Sequence, residues 1–400
     1  MDAFSNAFSP SVRVSNIKPS PILSLSQKAN EMRVDGADII DLTLGEPDFD
    51  TPDHVKQSAQ DAMWSGKTRY TQLTGAPDTI DAILARISIT YELCFQRQNV
   101  IVTNGAKQAL HNAFSATLNP GDEVILPTPY WTTYPDIIRL EGGVVREVPG
   151  LWSLDKGWRL DIAAIERAIT PRTRWILLNS PCNPSGAVYS PEDLAALAGL
   201  VARHDGFWVM SDDIYQDIAF PAPAPMFAAR HPEVADRTLI IGGVSKAYAM
   251  TGWRVGWAVG PADLIRAMAA VQSQTTSAPS SISQAAAAIA LRGPQTSVLN
   301  MVAEFKARRD VVVDRLNAIP GLECALPGGA FYAFPRITGA LHHLGLGSDT
   351  EFCDALLNAG VAAVPGSAFG APGFIRLSYA ASMAELEGAC DRIEQLCAQV

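Results

Sequence analysis

Short apolar segments separated by helical patterns run through the middle of this chain and constrain its fold more than any other feature. Between them lie stretches such as residues 191–204, where Pro191 follows Ser190 in the arrangement typical of a helix start. This alternation predicts a mostly parallel sheet with helices on both faces. The predicted strands are Val100–Thr103, Val124–Leu126, Trp175–Leu178, Phe207–Met210 and Leu239–Ile241, with Gly256–Val259 as a further candidate.

The C-terminal part of the chain has a different pattern. A long helical pattern at residues 301–318 precedes the strand-like FYAFPRI at 331–337, a helix near 351–359 and a closing helix from Met383. We therefore predict a large domain at residues 51–295 and a smaller α+β domain at 296–400. Residues 1–50 are predicted to form an N-terminal segment that contributes to the small domain.

Composition and charge exclude several classes of protein. The 400 residues are 48% hydrophobic and carry 31 lysines and arginines against 41 acids, a net charge of -10. With no basic run, we expect neither nucleic acid nor an anionic membrane as a partner. No apolar stretch reaches the length of a membrane helix, and the N-terminus does not resemble a signal peptide, so we expect a cytoplasmic protein. The six cysteines form no CxxC pair and are expected to be reduced and buried, and the histidines lack metal-ligand spacing, so no metal is expected.

Chemically distinctive residues follow the predicted strands. Ligands of an open α/β sheet bind beyond the carboxyl ends of its strands. At those positions the sequence places a glycine at a helix start suited to phosphate, an aromatic ring, amides, a carboxylate, a phenol, a lysine and an arginine. Any one of these residues alone is common in a turn, as a helix cap or at the surface. Together they favour an anionic, planar, heteroaromatic cofactor that is held covalently. The residues are Gly105, Ala106, Lys107, Trp131, Asn183, Asp212, Tyr215, Lys246 and Arg254.

The segment GVSKAYAMTGWRVG at residues 243–256 resembles the cofactor-lysine signature of the class I, fold-type I pyridoxal-phosphate aminotransferases. Other segments match that family in the same order, from GEPDF at 45–49 to FIRLS at 374–378. The resemblance extends over roughly residues 18–378 and is closest to the bacterial aspartate aminotransferase subgroup. It implies a large domain with a mostly parallel seven-stranded sheet between helices, a pyridoxal 5'-phosphate cofactor and a homodimer with shared active sites.

The resemblance also implies the residues of the cofactor site. Lys246 would form the internal Schiff base and move the proton, and Asp212 would pair with the pyridinium nitrogen. Tyr215 and Asn183 would bind the phenolate oxygen of the ring, and Trp131 would stack on the ring. The phosphate group would be bound by Arg254, by the backbone of Gly105, Ala106 and Lys107, by Ser245, and by Tyr70 of the neighbouring subunit.

For the substrate, the resemblance implies that Arg376 binds the α-carboxylate, next to the backbone of Gly45 and to Trp131 and Asn183. Lys107 and Lys18 match basic positions that the aspartate subgroup uses for dicarboxylic substrates and prephenate. Two departures from the family pattern stand out. Residues 272–278, which match a segment that enters the partner's substrate pocket, contain no arginine, and Asp213 stands where the family has glutamate.

We therefore expect an aminotransferase that moves an amino group from aspartate or glutamate to 2-oxoglutarate or oxaloacetate in two half-reactions. Three alternatives stay open at this point. The first is an aminotransferase for aromatic amino acids, prephenate or other amino acids on the same scaffold. The second is a pyridoxal-phosphate-dependent β-lyase, which would release pyruvate and ammonia without a keto acceptor. The third is a non-catalytic cofactor-binding regulator, although the chain has no length or basic segment for a DNA-binding domain.

Overall fold

The structure, a computed structural model, describes residues 9–15, 17 and 21–398 of the chain. The helices are α1 (Val12–Ser15), α2 (Pro21–Val34), α3 (Asp53–Trp64), α4 (Pro77–Tyr91), α5 (Ala106–Thr117), α6 (Thr133–Leu140), α7 (Ile162–Ala168), α8 (Pro191–Arg203), α9 (Phe227–Arg230), α10 (Ala262–Thr275), α11 (Ser281–Arg292), α12 (Thr296–Ala318), α13 (Thr338–Leu344), α14 (Asp349–Asn358) and α15 (Met383–Cys397). The strands are β1 (Ile40–Asp41), β2 (Val100–Thr103), β3 (Glu123–Thr128), β4 (Val144–Pro149), β5 (Leu151–Ser153), β6 (Gly157–Arg159), β7 (Thr173–Asn179), β8 (Trp208–Asp212), β9 (Thr238–Gly243), β10 (Gly256–Val259), β11 (Tyr332–Ala333), β12 (Val361–Ala362), β13 (Val364–Pro365) and β14 (Ile375–Ser378).

The predicted central sheet is confirmed. Within the described residues it has seven strands in the order β2-β10-β9-β8-β7-β3-β4. Neighbours are parallel except for β10, which runs antiparallel to both β2 and β9. All the predicted strands, including the further candidate at 256–259, lie in this sheet. The edge strand β4 was not predicted. Most of its residues are partly or fully exposed, so it lacks the continuous apolar run of the central strands.

Helices cover both faces of the sheet. On one face, α5 and α10 pack against the sheet through residues such as Phe114 and Met268. On the other face, α8 buries Leu197 and Val201. The predicted start of α8 is confirmed, because the Ser190 side chain accepts a hydrogen bond of 3.1 Å from the backbone N–H of Asp193. The helices thereby make the central strands a buried layer whose carboxyl ends stay open to ligands.

The two ends of the chain meet next to this sheet. Strand β1 pairs in parallel with β12, Ile40 lying opposite Val361. A separate three-stranded sheet in the described chain has the order β11-β14-β13, and α12 and α15 pack around it through a shared apolar cluster. The predicted helices at 301–318, at 351–359 and from Met383 correspond to α12, α14 and α15. In FYAFPRI only Tyr332–Ala333 is a strand. The domain boundaries at residues 50/51 and 295/296 stay a prediction.

The expectation that all cysteines are buried is wrong for Cys94, which is exposed, whereas Cys182, Cys324, Cys353, Cys390 and Cys397 are buried free thiols. Cys94 lies just after α4, in the segment between α4 and β2. In the described part of the chain, no group of three or more histidine, cysteine, aspartate or glutamate side chains is arranged to hold a metal ion. Among the helices of the same residues, none has the length and apolarity needed to cross a membrane.

Candidate functional site

A cavity of about 330 Å³ opens at the carboxyl ends of β7, β8 and β9. Most of the residues singled out from the sequence line it, and they reach it from the central sheet, from α5 and from the two chain ends. Gly105 is the N-cap residue of α5 and directly precedes Ala106, which lines the cavity. The predicted site residues that line the cavity are Gly45, Ala106, Lys107, Trp131, Asn183, Asp212, Tyr215, Ser245, Lys246, Arg254 and Arg376.

Two predicted residues that the structure describes, Gly105 and Tyr70, are not among the residues that line this cavity. Tyr70 lies in the loop between α3 and α4, is 96% exposed and is not among the described residues that line the cavity of its own chain. Lys18 lies outside the described residues. The predicted role of Tyr70 concerns the partner subunit, and that of Lys18 concerns a bound substrate.

Lys246 follows β9 in a tight turn that directs its amine into the cavity. Its Nζ donates a hydrogen bond of 2.5 Å to the carbonyl oxygen of Gly45. The pKa of this amine is lowered to about 8, mainly by burial. The negative charge of Glu46 acts to raise the pKa, and the positive charges of Arg254 and Arg376 act to lower it. A lysine with a lowered pKa is neutral often enough near neutral pH to act as a nucleophile or a base.

This lowered pKa predicts selective chemistry at Lys246. In protein freed of cofactor, reductive methylation of Lys246 should rise roughly tenfold per pH unit below its pKa of about 8 and level off above it. Exposed lysines, whose ordinary pKa is about 10.4, should continue to gain reactivity up to higher pH. Peptide mapping by mass spectrometry after short exposures at several pH values measures both. A Lys246 profile parallel to that of the exposed lysines would contradict the expectation.

Asp212 ends β8 and is the buried carboxylate of the cavity. Its Oδ2 accepts a hydrogen bond of 2.7 Å from the hydroxyl of Tyr134, and its Oδ1 accepts one of 3.3 Å from the backbone N–H of Ile214. Burial raises the pKa of Asp212 to about 6, against the lowering effect of these two hydrogen bonds and of the Lys246 charge. A cation bound beside such a carboxylate would stabilise its charged form.

The start of α5 forms a cradle for an anion. Gly105 has φ +78°, and a Cβ at this position would lie 2.5 Å from Nη2 of Arg254. A Cβ at Gly256 would lie 2.4 Å from the backbone nitrogen of Ala106. The first N–H groups of a helix have no partner within the helix, and the helix dipole favours negative charge there. Together with the Arg254 guanidinium, they can bind a phosphate group.

Arg376 on β14 is 1% exposed and also lines the cavity. Its Nη1 donates to Asn183 Oδ1 at 2.9 Å and its Nη2 donates to the carbonyl oxygen of Thr43. The rings of Tyr332 and Phe369 lie 4.7 and 5.1 Å from the centre of the guanidinium. Its Nε has no hydrogen-bond partner among the described residues although it is buried. A buried guanidinium with an unused donor is suited to a carboxylate ligand.

Lys107 is a further cation at the cavity, and its side chain is exposed. The Nζ of Lys107 is 4.7 Å from the centroid of the Trp131 ring, and both residues line the cavity. Partial burial and the charge of Arg254 lower the pKa of Lys107. The Trp131 ring in turn packs edge-on against Tyr134, with 5.4 Å between the ring centroids. Lys107 and Arg376 thus give the cavity two cations that suit the two carboxylates of a dicarboxylate.

Three residues of this arrangement had no predicted role. Tyr134 holds Asp212, and Asn179 donates a hydrogen bond of 2.9 Å from Nδ2 to the carbonyl oxygen of Asp212. Tyr332 shares a hydrogen bond of 2.8 Å with the hydroxyl of Tyr215. Asn179 could have been found from the sequence, because it ends the strand beside β8. Tyr134 and Tyr332 depend on how α6 and β11 pack, which no local pattern reports.

The sequence profile of the family described as "Aminotransferase class I and II" matches residues 37–393 of the chain. The chain is 49% identical over 403 residues to the aspartate aminotransferase of Rhizobium meliloti, covering 98% of this chain and 96% of that protein. It is 45% identical over 396 residues to the aspartate/prephenate aminotransferase of Cereibacter sphaeroides, covering 96% of this chain and 98% of the relative.

Its structure is similar to the crystal structure of the aspartate aminotransferase from Rhizobium meliloti, with a TM-score of 0.93 and 48% sequence identity. The similar region covers 98% of this chain and 99% of that one. Sequence and structure thus agree over nearly the full length of both proteins.

Proposed function

Because the chain belongs to the class I and II aminotransferases, we propose that it transfers the amino group of aspartate or glutamate to 2-oxoglutarate or oxaloacetate. The chain is an aminotransferase that depends on pyridoxal phosphate. The choice of dicarboxylic substrates is the proposed part. It rests on one observation: besides Lys246 and Arg254, which are assigned to the cofactor, Lys107 and Arg376 place two further cations in the same cavity.

The residues of the cavity fit pyridoxal phosphate. The amine of Lys246, the buried carboxylate of Asp212 and the anion cradle at Gly105 lie around one space of about 330 Å³. The cradle is so close to Arg254 that a Cβ at Gly105 would collide with it. When bound, pyridoxal phosphate supplies a protonated ring that accepts the electron pair released as the Cα–H bond of the amino acid breaks.

Each role below is part of the proposal. Arg376 holds the α-carboxylate of the amino acid as a planar donor, oriented by Asn183. This contact would place the Cα hydrogen within reach of the Lys246 amine, which would take the proton and deliver it to C4′ of the cofactor. Asp212 keeps the ring nitrogen protonated, because its buried negative charge favours a cation as its neighbour. Tyr215, held by Tyr332, donates to the phenolic oxygen of the ring.

The alternative of prephenate as an amino acceptor is favoured by one finding. The Cereibacter sphaeroides relative, 45% identical to this chain, is named an aspartate/prephenate aminotransferase. Prephenate is also a dicarboxylate, so the Lys107 amine can bind its second carboxylate as it binds that of aspartate. We therefore include prephenate beside 2-oxoglutarate and oxaloacetate in the test of substrate choice.

Substitution of Lys107 by alanine tests the proposed substrate class. We expect kcat/KM for aspartate and glutamate to fall about 10–100-fold, as for the loss of one charge-assisted contact, and that for alanine to change less than about threefold. The measurement is a panel of amino donors against 2-oxoglutarate and oxaloacetate, and of acceptors including prephenate. Each donor and acceptor is measured with wild type and variant.

Lys306 provides the matched control, since it is an exposed lysine on α12 paired only with Asp310 at 2.9 Å among the described ion pairs. Lys306→Ala should leave every kcat/KM of the panel unchanged. If Lys107→Ala lowers activity equally for dicarboxylic and other donors, Lys107 serves the cofactor and the proposed specificity is wrong. A Lys107→Ala variant with the same donor preference as wild type would exclude the proposal as well.

We further propose that the active enzyme is a homodimer with shared sites. Tyr70 is 96% exposed and is not among the described residues of the cavity wall in its own chain, which suits a residue that binds the phosphate in the partner subunit. We place the enzyme in the cytoplasm, because the buried free thiols of residues such as Cys182 and Cys324 suit a reducing compartment.

A mixed dimer tests the sharing of sites. Tyr70→Phe should weaken pyridoxal phosphate binding about 10–100-fold, the cost of one hydrogen bond to a charged group. Co-expressed with Lys246→Ala, it should form hybrids in which one site has an intact Lys246 from one chain and Tyr70 from the other. That site should recover wild-type cofactor affinity, measured by titration of purified hybrids. Tyr70 acting within its own chain would instead leave each hybrid site defective.

A further inference from the structure

A second, smaller cavity of about 30 Å³ lies beside the turn that carries Lys246, since Ala247 and Tyr248 form part of its wall. Across residues 9–15, 17 and 21–398, eight buried side-chain nitrogen and oxygen atoms have no hydrogen-bond partner, and four of them belong to residues that line this cavity. These atoms are Arg86 Nε, Tyr91 Oη, Asp213 Oδ2 and Trp257 Nε1. None of these residues has a role in the proposed reaction.

The other atoms of the same side chains are already bound. Ser211 Oγ donates a hydrogen bond of 2.8 Å to Asp213 Oδ1, and Arg86 Nη2 pairs with Asp217 Oδ1 at 2.8 Å. Asp213 and Trp257 are 7% and 8% exposed, so bulk solvent does not complete their hydrogen bonding. What remains unpaired is two N–H donors, one carboxylate oxygen and one hydroxyl group. Native proteins rarely leave such buried groups unpaired.

We propose that this cavity is a buried hydration site, in which one or two water molecules bridge Asp213, Tyr91, Arg86 and Trp257. About 10–15 Å³ of water-accessible volume is enough for one water molecule, so a cavity of about 30 Å³ is large enough for one or two. A water molecule accepts two hydrogen bonds and donates two. It can accept from Arg86 Nε and Trp257 Nε1 and donate to Asp213 Oδ2 and Tyr91 Oη.

The polar groups favour water over an ion. A metal cation would face the N–H groups of Arg86 and Trp257, which have no lone pair to offer it. A chloride ion would accept from these donors but could donate nothing to the carboxylate oxygen of Asp213. Water satisfies both kinds of group in the same space. The acidic and basic side chains around the cavity are Arg86, Asp213 and Asp217. Arg86 and Asp217 already form an ion pair, and burial raises the pKa of Asp213.

The water would connect elements that hold the catalytic lysine. Arg86 and Tyr91 lie on α4, Trp257 on β10, and Asp213 directly follows Asp212 at the end of β8. Ala247 and Tyr248, which follow Lys246, close the cavity. A water bridge would therefore join α4, β10 and the end of β8 beside the turn that carries Lys246.

Asp213 stands where the resembling family pattern has glutamate. Glutamate is one methylene longer, so its carboxylate would reach further into the cavity and could bind the donors directly. The shorter side chain of this chain leaves the space that the water fills. The Asp213→Glu variant therefore offers a specific test, because it should expel the water while keeping a carboxyl group.

A crystal structure of the pyridoxal-phosphate-loaded enzyme at better than about 1.6 Å resolution decides whether the site is hydrated. We expect an ordered water peak within hydrogen-bond distance of at least three of the four unpaired atoms. A closed or empty cavity would overturn the proposal. So would a peak that gains anomalous signal after a bromide soak, because that result identifies an anion site.

Thermal unfolding of the loaded Asp213→Glu variant tests the role of the water. We expect Tm to stay within about 1 °C of wild type or to rise, with the water peak lost. Asp193→Glu is the matched control, a buried aspartate whose two oxygens are already bound by Arg159 at 2.9 and 3.2 Å. There the side chain is buried and its oxygens are already paired, so the added methylene should strain the packing and Tm should fall by about 2–5 °C. Equal losses of Tm in both variants would overturn the proposed replacement of water by glutamate.

Tyr91→Phe gives an independent readout if Asp213→Glu does not fold. It removes the hydroxyl group and keeps the ring, so the water should remain with fewer partners and weaker density. An unchanged water peak with the same neighbours would show that Tyr91 does not belong to the site, and the four-residue bridge would be wrong.

Discussion

Replacing Lys246 with alanine is expected to lower kcat for transamination by about 10⁴-fold, the upper end of what a positioned acid–base group contributes. The amine lies in the cavity 2.5 Å from the Gly45 carbonyl oxygen, and no other lysine among the described residues except Lys107 lines the same space. The variant should still bind pyridoxal phosphate through the cradle at α5. The measurement is a single half-reaction with aspartate, followed by the change in cofactor absorbance.

Lys246→Arg serves as the companion variant, because it keeps a positive charge in the cavity but cannot lose its proton. It should be as inactive as Lys246→Ala if proton transfer is the function of Lys246. The control for an intact site is cofactor affinity, which should fall far less than kcat in both variants. Residual activity above about a hundredth of wild type in either variant would contradict the assigned role.

Asp212→Asn is expected to have the second-largest effect, a loss of about 10²–10⁴ in kcat/KM, corresponding to the removal of one partner of a buried charge pair. The amide keeps the size of the side chain and removes only its charge, so the ring nitrogen would lose its anionic partner. Asp212→Glu keeps the charge and should retain more activity than Asp212→Asn. Equal losses in the two variants would show that the position of the group matters rather than its charge.

The pH dependence of cofactor binding separates Asp212 from the other groups. Since burial raises the pKa of Asp212 to about 6 in the cofactor-free protein, the affinity that depends on its charge is present above that pH and is lost as pH falls through it. Tyr134→Phe removes a hydrogen bond that lowers this pKa. The loss of affinity should then begin at higher pH in Tyr134→Phe than in wild type.

The sequence predicted the sheet well because its central strands are buried on both faces. Residues 175–178 and 239–241 are apolar throughout, and the structure places them inside the sheet, in β7 and β9. Strand β4 lacks this signal, since five of its six residues are exposed or partly exposed on an edge. Pro335 follows β11 closely and cannot donate to a strand ladder, so the strand-like pattern of FYAFPRI is longer than the strand.

The cavity was predictable where residues follow strands directly, as Asp212 and Lys246 do. The sequence could not show which side chains approach from elsewhere. Tyr134 reaches Asp212 from a helix, and Thr43 binds Arg376 through its backbone carbonyl, which leaves no trace in residue type. The exposure of Cys94 was missed for a similar reason, because residue type alone does not distinguish an exposed cysteine in the loop after α4 from a buried one. The roles of Tyr70 and Lys18 stay predictions.

The parallel pairing of β1 with β12 has a consequence for synthesis of the chain. Ile40 emerges from the ribosome early, but its partner Val361 appears only when nearly all of the protein has been made. Until β12 has been made, the backbone groups of β1 therefore lack their β12 partners, and contacts between such distant segments form slowly. A chain terminated before Val361 would keep this edge open to other molecules, as a target for chaperones or a seed for aggregates.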